Sequence, residues 1–160
     1  MGSGRRNRWL PVLCLAVLLT AAACSQPVGT SVFLSAEQAR TEGGTYTFSA
    51  DFDDSTLNYA TTLAARMVTS RTDGKQIELD IRITPPDGEP SFERVSFPLE
   101  AQPGVRYALG SGSLVDYAWT WRHFDMRTLP RGQWQFAVRP TDPALAEALR
   151  GIGFSYEKQN

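Results

Sequence analysis

His123 is the only histidine in a chain of 160 residues, and Asp116 and Asp125 lie close enough in sequence to orient its ring. Imidazole, carboxylate and one of many serines are the parts of a hydrolytic triad, but an activated serine of this kind sits on an elbow of the form Gly-x-Ser-x-Gly. The nearest approach, "GSGSL" from Gly110 to Leu114, lacks the closing glycine. A single imidazole also falls short of a histidine-pair zinc site or a two-histidine facial triad. Asp51, Asp53 and Asp54 in "DFDDS" offer the oxygen ligands that calcium prefers. Neither the glycine nor the distal glutamate of an EF-hand loop follows them, so a solvated turn between strands is the simpler reading. The Gly110–Gly112 bend has no Lys-Ser/Thr after it and no βαβ unit around it, which makes it a hairpin bend and not a phosphate loop. The residue types thus predict no catalytic group, no metal site and no cofactor.

The aromatic stretch "YAWTWRHF" holds the best candidates for recognition. On a strand, Tyr117, Trp119 and Trp121 project from one face at intervals of about 6.6 to 6.8 Å, a spacing over which flat rings stack on sugars. Facing outward, they are a carbohydrate or partner platform. Facing inward, they are core, with Ala118, Thr120 and Arg122 toward water, and these small or polar alternates favour the inward reading. Trp119 and Arg122, one for each face, are the candidate binding residues.

These side chains need a scaffold, and its pattern is period two. In "QIELDIRIT", Ile77, Leu79, Ile81 and Ile83 alternate with Glu78, Asp80, Arg82 and Thr84, which is a strand with one dry and one wet face. The turn signals "TDGK" and "PPDG" flank it. Shorter alternating runs fall at Tyr46–Phe48, Val95–Leu99, Tyr117–Trp121, Trp134–Val138 and Ile152–Tyr156. Six or more short strands so spaced predict an all-β fold, an antiparallel β-sandwich spanning 45–160. The knot Val32, Phe33, Leu34 reads equally as a first strand or a loop plug. The run from Leu57 to Ser70 fits a helical face (Leu57, Ala60, Ala64, Met67, Val68) or a strand face (Leu57, Tyr59, Leu63, Ala65, Met67), and composition leans to helix. In "TDPALAEALRG", Asp142 can cap, Pro143 suits the first helical position and Gly151 can terminate, predicting one short helix.

The N-terminus supplies an address. Arg5, Arg6 and Arg8 precede an uncharged apolar run from Trp9 to Ala23, which ends in three alanines before Cys24. This is the charged, apolar and small-residue sequence of a cleaved signal peptide. The run is shorter than the ~20 residues of a spanning helix, holds Pro11 near its start and has no basic flank after it. The only other cysteine, Cys14, lies in the segment to be removed, so mature Cys24 has no internal disulfide partner. A lipid on its sulfur would cap it, and two or three acyl chains hold a protein on a bilayer almost permanently. The expected division is a signal peptide at 1–23, a lipidated N-terminus and tether at 24–44, and the folded domain after that. Without the three arginines of the signal, 13 basic residues face 17 acidic, a net charge of about −4, which leaves no nucleic-acid footprint.

Taken in order, "TFSADFDD", "LNYATTLAARMVTS", "IELDIRITPPDG", "LGSGSLVDYAW", "LPRGQWQF" and "ALRGIGFSYEK" behind a signal cysteine resemble the GldH-type gliding-motility lipoproteins of the Bacteroidota. The matching positions are Phe52, Asp54, Tyr59 and Arg66, then Gly110 and Gly112, then Gly132, Trp134 and Phe136, and finally Leu149, Gly151 and Ile152. The closing pattern is shortened here, with Gly153 directly after Ile152. The resemblance implies that 57–70 is strand, and that the protein is a non-catalytic envelope lipoprotein assembling with other envelope or gliding proteins. The non-acidic "SQPVG" after Cys24 fits an outer-membrane anchor with the domain facing the periplasm. The competing expectation is a lipid-anchored carbohydrate-binding module of a glycan-uptake system.

Overall fold

The computed structural model describes residues 30–68, 76–100, 103–109 and 112–159. Cys24, the signal segment and the "TDGK" turn lie outside them. Among the described residues, no helix is long and apolar enough to cross a membrane.

Among the described residues, nine strands form two antiparallel sheets. They are β1 (Thr30–Ser35), β2 (Tyr46–Phe52), β3 (Asn58–Val68), β4 (Gln76–Thr84), β5 (Ser91–Pro98), β6 (Val105–Leu109), β7 (Leu114–Asp125), β8 (Gly132–Pro140) and β9 (Leu149–Gln159). Sheet A has the order β1-β9-β3-β7-β6, and sheet B the order β2-β8-β4-β5. Each pairing is antiparallel. The all-β expectation holds, and its cause is visible in β2, where buried and exposed residues alternate without exception from Tyr46 to Phe52. In β4, the four aliphatic residues Ile77, Leu79, Ile81 and Ile83 are all buried.

The sheets close on an aromatic core. Phe136 of β8 stacks on Phe154 of β9 with centroids 4.8 Å apart, and Phe48 of β2 lies 5.5 Å from the same ring. Phe52 touches Tyr59 at 4.7 Å and Phe124 at 5.3 Å. Pairs in these geometries add ~0.5–1.5 kcal/mol each beyond the area they bury. No buried side-chain polar atom among the described residues lacks a hydrogen-bond partner.

Three local outcomes differ from the sequence patterns. The run after Leu57 is strand β3, as the family resemblance implied and composition did not, with Tyr59, Thr61, Leu63, Ala65 and Met67 all buried. It lies between β9 and β7, so pairing on both edges overrides the helical propensity of its alanines. Two short helices are present among the described residues where one was expected. The first, α1 (Ala36–Thr41), opens with a capping box in which Ser35 Oγ accepts from Gln38 N–H at 3.3 Å and Gln38 Oε1 accepts from Ser35 N–H at 2.8 Å. The second, α2 (Pro143–Ala148), has the expected cap, Asp142 accepting from Ala144 N–H at 2.8 Å. It does not run to Gly151: β9 begins at Leu149. Gly151 serves packing instead, since a Cβ there would sit under 3.0 Å from both the Phe33 ring and the Leu34 carbonyl.

The knot Val32–Leu34 is β1, paired with β9 from Thr30↔Tyr156 to Ser35↔Gly151. Both β1 and α1 therefore belong to the folded body, although they lie within the stretch 24–44 read as anchor and tether.

Candidate functional site

Tyr117, Trp119 and Trp121 of β7 turn toward the other sheet. Trp119 meets Phe97 of β5 edge-on at 5.9 Å, and Trp121 meets Phe136 of β8 at 6.1 Å. Tyr117, Trp119 and Trp121 are each partly buried against the core, so this strand offers no outward stacking platform. Trp119 is a core residue near the rim.

Arg122 was expected on the opposite face from Trp119, and it is not there. The β3–β7 register shifts between Thr61 and Thr62: Thr62 pairs with Thr120 and Thr61 with Arg122, leaving Trp121 as the extra residue of a bulge. Directly paired residues share a face, and Thr61 is fully buried, so the bulge brings Arg122 round to the inter-sheet side. Thr61 Oγ1 donates to the Arg122 carbonyl at 2.8 Å, which pins the bulge. The Arg122 guanidinium lies 5.1 Å from the Phe124 ring centre and donates to Glu93 of β5 at 2.8 Å. Strict alternation could not foresee this, because a bulge has no fixed sequence signature.

His123 is exposed and pairs in register with Ala60. Among the described residues, no cluster of three or more His, Cys, Asp or Glu could hold a metal ion. Asp53 and Asp54 of "DFDDS" serve local structure. Tyr59 donates its hydroxyl proton to Asp53 Oδ1 at 2.9 Å and accepts from Asp54 N–H at 3.3 Å, and Lys158 approaches Asp53 at 3.3 Å. The Tyr59 bond, helped by Lys158, holds the Asp53 carboxyl below its ordinary range. Burial, together with the bond to Asp53, raises the Tyr59 phenol. Asp54 accepts from Thr56 N–H and Oγ1 at 2.9 and 2.7 Å and turns the chain into β3.

The outer face of sheet A carries Phe33, Gly153, Ala64, Ala118 and Arg106 in one cross-strand row. In the next row Arg66 forks onto Asp116 at 2.7 and 2.8 Å, with its guanidinium 5.1 Å from the Phe33 ring centre. That hydrogen-bonded pairing lowers the Asp116 carboxyl and raises the arginine. The arrangement is self-satisfied, and it seats β1 on the sheet.

The outer face of sheet B is different. A hollow of about 880 Å³ is lined there by Thr45, Thr47, Arg82, Phe92, Ala137 and Arg139, with Glu42, Asp80, Glu93 and Arg94 around it. Phe92, on edge strand β5, is 75 % exposed, the most exposed large apolar side chain among the described residues. Its signal was present in the sequence as an aromatic at a wet position, one residue out of step with Glu93 and Val95.

The chain matches no family model, no curated protein and no solved structure.

Proposed function

We propose that the chain is a lipid-anchored envelope protein of the gliding-motility lipoprotein type, without catalytic activity, that works by assembling with other envelope proteins. The observation that carries this reading is the position of β1. It starts six residues after Cys24 and is itself an edge strand of sheet A. Six residues reach at most about 20–22 Å, so a lipid on Cys24 would hold the body close to the bilayer. Confinement of this kind raises effective concentration and lets modest contacts suffice for assembly. The interior is filled by packed rings, and the polar groups that remain available lie on open outer faces, which suits a binding module. The order of sequence motifs from Phe52 to Ile152 supports the family reading, the signal segment with its cysteine supports an envelope anchor, and the non-acidic "SQPVG" after Cys24 supports the periplasm-facing side of the outer membrane.

Metabolic labelling of cells with an alkyne palmitate analogue, followed by membrane fractionation, tests the anchor. The wild-type chain should carry label and sediment with membranes. Cys24→Ser should lose the label and leave the membrane. A Cys24→Ser chain that stays membrane-bound would overturn the proposal.

A further inference from the structure

Two guanidinium groups on the outer face of sheet B have no carboxylate bound to them among the described residues. Cross-strand register places Thr47, Ala137, Arg82 and Phe92 in one row and Arg139, Asp80 and Arg94 in the next. Arg94 is engaged, donating to both oxygens of Asp80 at 2.7 and 3.0 Å. Glu93 is engaged by Arg122. Arg82 and Arg139 make no hydrogen bond or ion pair with a carboxylate among the described residues; Arg139 acts on Asp80 only through its field. They are diagonal neighbours on adjacent strands, a placement that puts Cα atoms about 7–8 Å apart; of the two residues between them, Ala137 gives a small floor and Asp80 already has both oxygens taken by Arg94. On the far side of Arg82 stands the exposed ring of Phe92.

The geometry points to a docking site for an acidic segment of a partner polypeptide. A carboxylate side chain is held by Arg82 and Arg139 over Ala137, and an apolar side chain of the same segment packs on Phe92. The planar fork of arginine suits this, because it meets a carboxylate with two parallel bonds. An extended segment with acidic and apolar residues two apart presents both to one face. Glu42, Glu78 and Asp80 disfavour a continuous anionic surface such as a membrane, because they are interspersed with the arginines. A single ring at the sheet edge gives a sugar polymer little to stack on. The inference rests on the reading of this domain as an assembly module and names the surface and the partner chemistry.

The test uses the full chain in detergent and a fluorescent peptide of repeated Glu-Ser-Phe-Ser, followed by anisotropy. Saturable binding is expected, weakening with added salt. Replacing Arg82→Gln and Arg139→Gln together should weaken it by about tenfold or more, the loss of a charge-assisted fork. Arg82→Lys with Arg139→Lys should retain part of the affinity, Phe92→Ser should weaken it, and Arg131→Gln, outside the hollow, should leave it unchanged. No peptide binding, or equal binding by the double glutamine variant, would overturn the site. Tighter binding to polygalacturonate or to phosphatidylglycerol vesicles, lost in the same variant, would overturn the choice of a polypeptide. Membrane attachment through Cys24 is read separately by fractionation, so failure of the peptide arm and failure of the anchor are told apart.

Discussion

Arg122 of β7 donates to Glu93 of β5 at 2.8 Å, and so one ion pair ties the rim of sheet A to the rim of sheet B. The guanidinium also covers the Phe124 ring, shielding a buried aromatic at the point where β6 no longer flanks β7. The pair is half-open to water, which limits its worth to about 0.2–1 kcal/mol.

A double-mutant cycle on Arg122→Ala and Glu93→Gln should return a coupling of that size, measured by urea unfolding. Added salt should shrink it. Arg122→Ala alone should cost more than Glu93→Gln, because it also removes the contact with Phe124, worth about 0.5–1 kcal/mol at an exposed site.

Trp119 and Phe92 are both large aromatic residues, and they should respond in opposite ways. Trp119→Ala removes a ring packed on Phe97 and should destabilise the fold by up to about 3 kcal/mol, discounted from the full-burial range because the ring is only partly covered. Phe92→Ala should change stability by less than about 0.5 kcal/mol. Thermal and urea unfolding of the two variants would expose the reverse order at once.

Gly151→Ala should loosen β1. The added methyl group meets the Leu34 carbonyl as well as the Phe33 ring, and overpacking of this kind costs about 1–3 kcal/mol. Phe33→Ala should not rescue it, because the backbone oxygen remains. Gly153→Ala should be milder, with its nearest neighbour, the Ala64 methyl, at 3.1 Å. Faster hydrogen exchange confined to the β1 amides would report the effect.

Acid should weaken the outer face of sheet A before the core. Hydrogen bonds from Arg66 lower the folded-state Asp116 carboxyl relative to the unfolded chain. Its contribution is therefore fully present above the unfolded value of about 3.9 and is lost as pH falls through the lower folded value. The stability difference between wild type and Asp116→Asn should be constant near neutrality and shrink below about pH 4. A difference independent of pH down to full acid unfolding would contradict this origin.

Strand identity was legible wherever one face is dry. Ile77 to Ile83 announced β4 because every second residue enters the core. β3 was ambiguous because alanines at Ala60, Ala64 and Ala65 satisfy either period, and only pairing on both edges decides between them. α1 carried a readable signal, Ser35 with Gln38 three residues on, hidden beside the apolar knot. The side of Arg122 was not legible, since it depends on a bulge set by tertiary pairing with Thr61. The hollow on sheet B was half legible: Arg82 stood out as a wet-face residue of β4, but its neighbours Ala137 and Arg139 are more than fifty positions away and reach it only through register.

The sheet order also sets a timetable. β9, the last strand, lies between β1 and β3 and supplies a partner to both. Neither of those strands can complete its pairing until the C-terminal segment is available. The β1–β9 pairing therefore joins residues more than a hundred positions apart, and sheet A is sewn shut from the two ends of the domain.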